Sequence, residues 1–358
     1  MIKDDVFVVG LGLGGERVAY EFQQRNYPSY LINGSIQDNK ILPYAKNVLV
    51  LEGYDGLAGD RSLAFKALKS NKAILQKILA IEEKVILLVA TGGGTTGSGC
   101  ITHLANILCN KFPEKIVFVC LMMPRHDEPI KKRLNAYDTA KELMDIPEIG
   151  GIIFVNNEAC GSDLNKINYN LVNMLDAFFS DDSSSSISNF DDSEKLKMLS
   201  DHGMFVIAMR SNCKNNAQNM DKTKMISTQD MVNALTAKNI FLPINNDGIV
   251  SHIGIINQKD NHLDEKEIEK AIGTPENIFT GNNGKVNIVC ASGLGFSTEY
   301  IANMGKQAIS EQKQRLEKKK SFNLLDDLEE LELEIEIPVK KAANKRKQVS
   351  LDLLNELD

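Results

Sequence analysis

The sequence has 358 residues, of which 43% are hydrophobic and 25% are charged, and its formal net charge is -7. This length allows two domains, and the composition is ordinary for a globular protein. The negative charge argues against a protein that coats nucleic acid with its whole surface. No apolar run approaches the roughly 20 residues needed to cross a bilayer, and the start, MIKDDVFVVG, lacks the pattern of a signal peptide. We therefore expect a cytoplasmic protein.

The cysteines and the common catalytic motifs exclude several kinds of site. Six cysteines are scattered along the chain without a CxxC pair, which argues against a zinc site or a disulfide framework. The sequence contains neither the HExxH motif of metalloproteases nor the GxSxG elbow of many serine hydrolases. We predict buried free thiols and no metal site built from protein side chains alone.

The first 160 residues alternate short apolar runs with helical stretches. The runs VFVVG, YLIN, VLVL, VILLVA, IVFVCLM and GIIFVN begin at residues 6, 30, 48, 85, 116 and 151. They are short, rich in β-branched residues and almost continuously apolar, as strands buried on both faces should be. Helices are predicted between them at 17–25, 63–79, 101–111 and 130–144. This alternation predicts a doubly wound parallel α/β sheet.

The second half begins with a long helix. Residues 163–179 carry an apolar stripe that suits a helix packed along a core, and the polar run SDDSSSS follows it. A smaller α/β unit starts at MFVIAMR (204–210), with strands near 248–256 and 286–290, and ends near residue 305. The remainder is a charged helical stretch, an acidic block (324–338), a basic block (340–347) and a leucine-rich end. Such composition does not hold a domain together alone, so we predict a tail.

Three glycine-bearing loops follow predicted strands: GLGLGGERV (10–18), GYDGLAGDR (53–61) and ATGGGTTGSGC (90–100). In doubly wound sheets, ligands bind beyond the carboxyl ends of the strands. Glycines let backbone amides approach a phosphate, and the dipole of a following helix attracts an anion. The hydroxyls of Thr95, Thr96 and Ser98 suit phosphate oxygens, while a Walker loop is absent. The three loops together predict a nucleoside triphosphate held largely by backbone amides.

The first loop leaves another class of protein open. Gly10, Gly12 and Gly15 fit GxGxxG, the dinucleotide-binding fingerprint. That fingerprint also requires an acidic residue at the end of the second strand, to bind a ribose hydroxyl. The sequence there is LINGS, with Asn33 in place of an acid. A dinucleotide-dependent oxidoreductase is therefore the alternative function.

Several motifs resemble those of one family, in order along the chain. GGGTTGSG (92–99) resembles the tubulin/FtsZ signature GGGTGTG, and IKKRL (130–134) resembles the KKRM stretch of FtsZ. VNNEA (155–159) resembles tubulin's IDNEAL segment, and DLN (163–165) matches the start of tubulin's central helix. SNFDDSEKLKML (188–199) is similar to the NVDFADVK catalytic loop and helix of FtsZ. The series covers about residues 1–305, and the chain is identified as a member of the tubulin/FtsZ superfamily.

The resemblance implies a role for each matching residue. The residues implied to contact the α- and β-phosphates are Gly10, Gly12, Gly14 and Gly15, and those implied to wrap the β- and γ-phosphates are Gly92, Gly93, Gly94, Thr95, Thr96 and Gly97. The loop with Gly59 and Asp60 would sense the γ-phosphate, and Arg133 would lie on the nucleotide side. Asn157 and Asn165 would hydrogen-bond guanine, and Asp191 and Glu194 would be the catalytic carboxylates. The implied ligands are GTP and GDP, with Mg²⁺ inferred from the triphosphate.

The resemblance also divides the chain. It implies a GTP-binding domain (1–162), a central helix with the catalytic loop (163–202), a second, activation domain (203–305), and a C-terminal helix with a charged tail (306–358). The second domain matches neither tubulin nor FtsZ closely, a profile shared by the TubZ group of plasmid and phage tubulins. Their basic tails bind a DNA-bound adaptor.

The function implied is a GTPase that forms head-to-tail filaments in a bacterial host cell and segregates plasmid or phage DNA. Its partners would be other copies of itself and a DNA-bound adaptor, with DNA contacted mainly indirectly and no membrane. A cell-division filament protein of the FtsZ type and a filament scaffold without GTP turnover are further alternatives.

The length of the central helix predicts where Asp191 and Glu194 lie relative to the nucleotide. A helix of roughly 17 residues spans about 25 Å, so Asp191 and Glu194 are expected at the far end of the subunit from the nucleotide. They would then reach only the γ-phosphate of a neighbouring subunit. The same acids, with Asp192, would also stabilise any helix N-terminus, and Asn157 and Asn165 would also suit turn or cap positions. Both interpretations remain open at this stage.

Overall fold

The computed structural model describes residues 1–54, 59–181, 190–214, 223–245 and 247–322. The acidic and basic blocks predicted in the tail lie outside these residues, and so does most of the polar run after residue 180. Among the described residues, no helix is both long and apolar enough to span a membrane.

The chain forms twelve strands and eleven α-helices within the described residues. The strands are β1 (Val6–Leu11), β2 (Ser29–Asn33), β3 (Val48–Val50), β4 (Val85–Thr91), β5 (Ile116–Met123), β6 (Gly151–Asn156), β7 (Gly203–Arg210), β8 (Cys213–Lys214), β9 (Thr223–Lys224), β10 (His252–Gln258), β11 (Asn277–Gly284) and β12 (Asn287–Leu294). The helices are α1 (Gly12–Gln23), α2 (Ile36–Asn39), α3 (Arg61–Ser70), α4 (Lys72–Leu79), α5 (Thr95–Lys111), α6 (Ile130–Met144), α7 (Leu164–Phe179), α8 (Asp192–Ser200), α9 (Thr228–Thr236), α10 (Glu265–Ile272) and α11 (Thr298–Phe322).

Ten of the strands form one sheet in the order β11-β10-β12-β7-β6-β5-β4-β1-β2-β3. The pairs from β3 to β7 are all parallel, β12 is antiparallel to both of its neighbours, and β10 is parallel to β11. This mixed, mostly parallel α/β sheet confirms the predicted fold class. Because β7 pairs with β6, the predicted second α/β unit shares its sheet with the first unit.

The sheet reverses its strand order beside β1. The chain runs from β1 to β2 and β3 on one side, and from β4 to β5 and β6 on the other. Helix α1 packs against α7, while α5 packs against α3 and α6, so the central strands are covered on both faces. Every residue of β1 is buried, as its continuous apolar run predicts. The crevice between β1 and β4 is a topological switch point, where open α/β sheets bind ligands.

Three predicted helices differ from the structure. Helix α5 begins at Thr95 rather than at residue 101, and α1 begins at Gly12 rather than at residue 17. Glycine disfavours helices, so the glycine-rich first turns were predicted as loops, although packing against the strands makes them helical. The helix predicted over 63–79 is two helices, α3 and α4, which meet at Asn71. The Asn71 side chain accepts a hydrogen bond from the backbone of Glu52 at this break.

The C-terminal helix crosses the predicted start of the tail. Helix α11 runs without a break through residue 305 and packs along α6. Gly305 lies against the ring of Tyr137 so closely that a Cβ there would be 2.6 Å from Tyr137 Cδ2. Ala308, one turn later, is fully buried. The part of the predicted tail up to Glu311, which pairs with Arg133, is therefore packed on the folded body.

Candidate functional site

The first and third glycine loops lie side by side at the carboxyl ends of β1 and β4. The two strands pair in parallel up to Leu11 and Ala90, and each loop follows directly. Gly12 has a φ of +66°, and a Cβ there would be 3.1 Å from the backbone nitrogen of Gly97. The loops therefore contact each other across the switch point, as one site requires.

The helices that begin in these loops have uncapped N-termini. Neither α1 nor α5 has a side-chain cap or an acidic residue in its first turn. In contrast, the side chains of Asp163, Asp191 and Asp264 cap α7, α8 and α10. The first amides of a helix have no partner within it, and its dipole places partial positive charge there. Two such termini side by side form an anion-binding site suited to phosphates.

The predicted phosphate-binding residues occupy these two first turns and the residues just before them. Gly10 is the penultimate residue of β1, and Gly12, Gly14 and Gly15 lie in α1. Gly92, Gly93 and Gly94 link β4 to α5, whose first turn contains Thr95, Thr96 and Gly97. Packing contributes to the choice of glycine, because a Cβ at Gly97 would be 2.7 Å from the carbonyl oxygen of Leu11. The phosphate roles predicted for the glycines therefore rest on their amides.

The hydroxyl groups of α5 have different partners. Thr96 Oγ1 donates to Asn33 Oδ1 over 3.4 Å, and Thr95 is half-buried at the first position of the helix. Ser98 is fully buried, and its hydroxyl donates to the carbonyl oxygen of Gly94. The suggestion that Ser98 binds phosphate oxygens is therefore wrong for this arrangement, because the hydroxyl bonds back into its own helix.

A buried carboxylate that the motifs did not indicate lies beside this site. Glu16, in α1, is 1% exposed and accepts a hydrogen bond from Asn33 Nδ2 over 3.0 Å. Its other oxygen, Oε1, is buried without a hydrogen-bond partner among the described residues. Burial raises the pKa of Glu16 to about 7, with a further contribution from Asp38. The only sequence signal was a charged residue on the buried face of an amphipathic helix.

The second glycine loop follows β3 and also lies at the carboxyl ends of the parallel strands. Gly59 has a φ of +83°, and its carbonyl oxygen accepts a hydrogen bond from Asn135 of α6. The Lys131 side chain lies close to Gly59. Asp60 caps α3 by accepting from the Ser62 amide over 2.9 Å, and hydrogen bonds from Ser62 lower its pKa. Residues 55–58 of this loop lie outside the described residues.

Arg133 is placed on the other side of α6. Its Nε donates to the Glu128 carbonyl oxygen, and its guanidinium forms a two-pronged ion pair with Glu311 of α11. Glu311 raises the pKa of Arg133. The α6 residues that lie beside the loops are instead Lys131, Lys132, Asn135 and Ala136. The structure thus brings Arg133 to α11, while its nucleotide role remains a prediction.

The two predicted base-binding asparagines lie at the same edge as the phosphate loops. Asn157 follows β6, is 8% exposed, and donates from its backbone to the Met123 carbonyl oxygen. Asn165 is exposed in the first turn of α7, which packs against α1. A tight turn with positive φ at Cys160, Gly161 and Ser162 links the two positions. Their role in base recognition remains a prediction.

The predicted catalytic carboxylates lie at the amino ends of the parallel strands, opposite the glycine loops. Asp191 and Glu194 begin α8, and the neighbouring Asp192 forms an ion pair with the N-terminal amine of Met1 over 2.8 Å. Met1 precedes β1, whereas the glycine loop follows it. Helix α7 has 16 residues and spans about 24 Å between the two edges. The buried Lys195 joins α8 to the end of α7 by donating to Asp181.

Asp191 and Glu194 form a capping box. Asp191 Oδ1 accepts from the Glu194 amide, and Glu194 Oε2 accepts from the Asp191 amide. The hydrogen bond from Ser193 lowers the pKa of Asp191, and burial raises the pKa of Glu194. The acids therefore do stabilise a helix N-terminus, one of the two interpretations the sequence left open. Asp191 Oδ2 and Glu194 Oε1 take no part in the box.

Comparison with known proteins identifies the kind of domain that residues 32–165 form. Residues 32–165 match the profile of the tubulin/FtsZ family, GTPase domain. The chain contains a tubulin/FtsZ GTPase domain. The match includes the second and third loops, Arg133 and both asparagines, whereas the first loop and the two carboxylates lie outside it. As a GTPase domain of this family, this part of the chain binds GTP and GDP.

Relatives that match most of the chain carry the same fold. The chain is 24% identical over 365 residues to the tubulin-like protein TubZ of Clostridium botulinum C phage, an alignment covering 98% of this chain and 96% of that protein. The crystal structure of C. botulinum phage c-st TubZ superposes with a TM-score of 0.74 at 21% identity, covering 87% of this chain and 99% of that one. A GTPγS-form protofilament of Bacillus thuringiensis serovar israelensis TubZ gives a TM-score of 0.69 at 15% identity, covering 86% and 93%.

Proposed function

We propose that this tubulin-like GTPase assembles head to tail and completes its hydrolytic site at each contact between subunits. The observation that supports the proposal is the distance between the glycine loops and the predicted catalytic carboxylates. The glycine loops lie at the carboxyl ends of the parallel strands, which we call the carboxyl edge. Asp191 and Glu194 lie at the amino ends of those strands, which we call the amino edge, about 24 Å away along α7. One subunit therefore holds the phosphates, and the subunit stacked on it supplies the carboxylates.

The carboxyl edge contributes binding and charge stabilisation. Phosphoryl transfer needs positioning and stabilisation of charge on the phosphate oxygens more than covalent chemistry. The uncapped first turns of α1 and α5 direct backbone amides at those oxygens, and Thr95 adds a hydroxyl at the mouth of the site. These groups are fixed before GTP binds, so they need no reorganisation during the reaction.

Mg²⁺ fits the donors at this edge. Thr96 Oγ1 and Asn33 Oδ1 are hard oxygen donors that lie 3.4 Å apart beside the first turn of α5. Within the part of the chain that the structure describes, no group of three or more His, Cys, Asp or Glu side chains could hold a metal. The ion would thus take most of its ligands from phosphates and water, as Mg²⁺ does at nucleotide sites. When bound, it neutralises phosphate charge.

The amino edge contributes the groups that orient water. The lowered pKa of Asp191 keeps this carboxylate ionised, so that it can accept a hydrogen bond from water and orient it. Because the capping box uses Asp191 Oδ1 and Glu194 Oε2, the other two oxygens remain to face a neighbour's γ-phosphate. The box also fixes the direction of both side chains, which positions them before the subunits meet.

Self-association has support from relatives. The B. thuringiensis TubZ that shares this fold was crystallised as a GTPγS-form protofilament. For this chain, the split site gives stacking a chemical consequence, since GTP turnover would begin only after contact. The decisive test is phosphate release measured against protein concentration. We expect a rate per molecule that rises steeply at an assembly threshold, and a full rate in dilute monomer would contradict the proposal.

For the biological role, we propose transport or segregation of plasmid or phage DNA in the cytoplasm of a bacterial host. The tail after residue 322, with its basic block at 340–347, would recruit a DNA-bound adaptor. Support comes from the similarity to phage TubZ over nearly the whole chain. Co-sedimentation with the adaptor–DNA complex tests this role, and a chain truncated after Phe322 should lose it. Retained recruitment would contradict the role of the tail, and a steep salt dependence would indicate direct phosphate contacts.

The oxidoreductase alternative is disfavoured by the match to a GTPase domain. It makes a distinct prediction about the ligand that copurifies with the protein. Denaturing the purified chain should release GDP or GTP, whereas a dinucleotide enzyme would release NAD(P) or FAD.

A further inference from the structure

An apolar groove lies between the start of α6 and the second half of α11. Its volume is about 360 Å³. Pro129, Ile130 and Leu134 of α6 line one wall, and Leu316 of α11 lines the other. Lys131 and Arg315 also line the groove and carry its only charged groups among the lining residues. The groove is thus an apolar slot with a cation on each wall.

The groove is open because α11 extends beyond the body of the protein. The ion pair between Arg133 and Glu311 holds the middle of α11 against α6. From Glu311 to Lys318 every residue is exposed, and Leu316 is 47% exposed although it is a large apolar side chain. Leu316 is not isolated, because it faces Pro129, Ile130 and Leu134 across the groove, and contiguous apolar surfaces rimmed by polar residues mark interaction sites.

We propose that residues 324–337 of the same chain, the acidic segment, dock in this groove. The segment reads LLDDLEELELEIEI, with seven leucine or isoleucine residues, seven acidic residues and no basic residue. Its apolar side chains match the slot, and its carboxylates match Lys131 and Arg315. Leu324, Leu328 and Leu331 share one helical face, which suits an amphipathic helix laid into a groove.

The chain is long enough to fold back. Leu316 lies six residues before Phe322, the last residue of α11, which is about 9 Å along the helix axis. Residues 323–327 span about 16 Å when extended, so Leu328 and Leu331 reach the slot without strain. A short tether also gives the segment a millimolar effective concentration, which favours this occupant over a free partner.

Charge favours the same occupant. Besides Lys131 and Arg315, the described part of α11 carries Lys318, one turn beyond Arg315. An acidic segment is attracted by these positive charges, whereas a basic partner or a second copy of α11 is repelled. Exposed ion pairs are individually weak, so the apolar contacts and the tether supply most of the affinity and the charges select the segment.

Docking has a consequence that rests on the proposed function. Lys131 lies in the groove and also beside Gly59, in the loop expected to sense the γ-phosphate. A docked segment would therefore occupy the rim of the edge on which the next subunit stacks. The tail would restrain assembly until another partner removes the segment from the groove.

A zero-length cross-linking experiment tests the docking itself. A water-soluble carbodiimide joins a lysine amine to a carboxylate in contact with it, and mass spectrometry locates the links. The full-length chain is used at low concentration without nucleotide, as an equal mixture of ¹⁴N- and ¹⁵N-labelled protein. Lys141, exposed at the other end of α6, serves as the internal control. We expect links from Lys131 to the acidic segment, within single isotopic chains, in clear excess over links from Lys141.

Charge-reversal variants provide the matched comparison. Arg315→Glu places a carboxylate on the groove wall, and Lys313→Glu makes the same change on the same helix at a residue that does not line the groove. We expect Arg315→Glu to lower the yield of Lys131 links about two- to fivefold, with little change for Lys313→Glu. Equal yields at Lys131 and Lys141, or no difference between the variants, would overturn the proposal. Links that join differently labelled chains would show a neighbour's segment in the groove, which also overturns it. Because no nucleotide is used, failure of the GTPase proposal would leave this result unchanged.

Discussion

Asn33 Nδ2 donates to Glu16 Oε2 over 3.0 Å, where the end of β2 meets the second turn of α1. Asn33 also accepts from the Thr96 hydroxyl, so the contact connects a buried carboxyl to the first turn of α5. Glu16 is 1% exposed, and its second oxygen lacks a partner among the described residues. A carboxylate held this way favours its neutral form, which is why its pKa rises to about 7.

The raised pKa of Glu16 predicts a pH-dependent stability. Because the folded state binds this proton more tightly than the unfolded chain, Glu16 contributes stability below about pH 4.5, and the contribution is lost as pH rises to about 7. We expect Glu16→Gln to match wild type near pH 4.5 and to exceed its free energy of unfolding by up to about 3 kcal/mol at pH 8. Denaturant titrations of the nucleotide-free protein at several pH values measure this difference.

Glu21→Gln is the matched control, because it makes the same substitution on the same helix at a solvent-accessible residue paired with Arg25. A difference between Glu16→Gln and wild type that stays constant from pH 5 to pH 8 would contradict the assignment of the titrating group.

The uncapped start of α5 predicts opposite effects of one substitution on stability and binding. Thr95→Asp places a carboxylate at the first position of this helix, where it interacts favourably with the dipole. The same charge repels a bound triphosphate. We expect an unchanged or higher Tm and at least about a tenfold weaker affinity for GTP, or about 1.4 kcal/mol. Calorimetric titration and thermal unfolding measure the two effects.

Thr95→Asn is the neutral, isosteric control and should bind GTP within about threefold of wild type. A substitution at Gly97 would be a poorer test, since a side chain there would collide with the Leu11 carbonyl oxygen and disturb the fold. Equal GTP affinities for the Asp and Asn variants would show that the phosphates lie elsewhere.

Much of the fold follows from local sequence patterns. The six apolar runs of the first half are strands β1 to β6, and the helix predicted over 130–144 has those bounds in the structure. These elements were predictable because continuous apolar runs and helical periodicity act locally. The start of α5 was not predictable in this way. Its glycine-rich first turn is helical because Gly97 packs closely on the end of β1, a contact between residues far apart in the sequence.

The missed features of the site depend on residues far apart in the sequence. Arg133 is held by Glu311, 178 residues away, and the contact exists only because α11 folds back along α6. Glu16 meets Asn33 only because the β1–α1–β2 crossover brings them together. The separation of Asp191 from the phosphate loops was predictable from the length of α7, because a helix converts residue number directly into distance.

The continuity of α11 predicts which truncation preserves the fold. A chain ending after Gly305 loses the buried Ala308 and leaves Arg133, 4% exposed, without Glu311. A chain ending after Phe322 keeps both. We expect the first truncation to lower the Tm by several degrees relative to the second. Thermal unfolding of the two chains measures the difference, and Glu311→Gln in the full chain isolates the ion pair. Equal Tm values would show that residues 306–322 add nothing to the folded body.

The capping box predicts which variants remove catalysis without disturbing α8. Asparagine is a good N-cap and glutamine serves in a capping box, so Asp191→Asn and Glu194→Gln keep the hydrogen bonds of the helix start while removing one carboxylate each. Alanine at either position would also remove the cap. We expect both variants to bind GTP and assemble like wild type, with GTP turnover lowered by about 100-fold or more. Their filaments should therefore persist after wild-type filaments have disassembled, which light scattering and phosphate release measure together.

Mixing two inactive variants tests whether the site is shared. Asp191→Asn binds GTP but lacks the carboxylate, whereas Thr95→Asp keeps the carboxylates and binds GTP poorly. A Thr95→Asp subunit stacked on an Asp191→Asn subunit restores one complete site, since the amino edge of the first meets the carboxyl edge of the second. The GTP concentration is chosen to saturate Asp191→Asn and to leave Thr95→Asp mostly unoccupied. We expect an equimolar mixture to recover part of the wild-type turnover, while each variant alone turns over far more slowly at the same total concentration. A mixture no more active than the sum of its components, despite normal assembly of Asp191→Asn, would show that each subunit completes catalysis within its own chain.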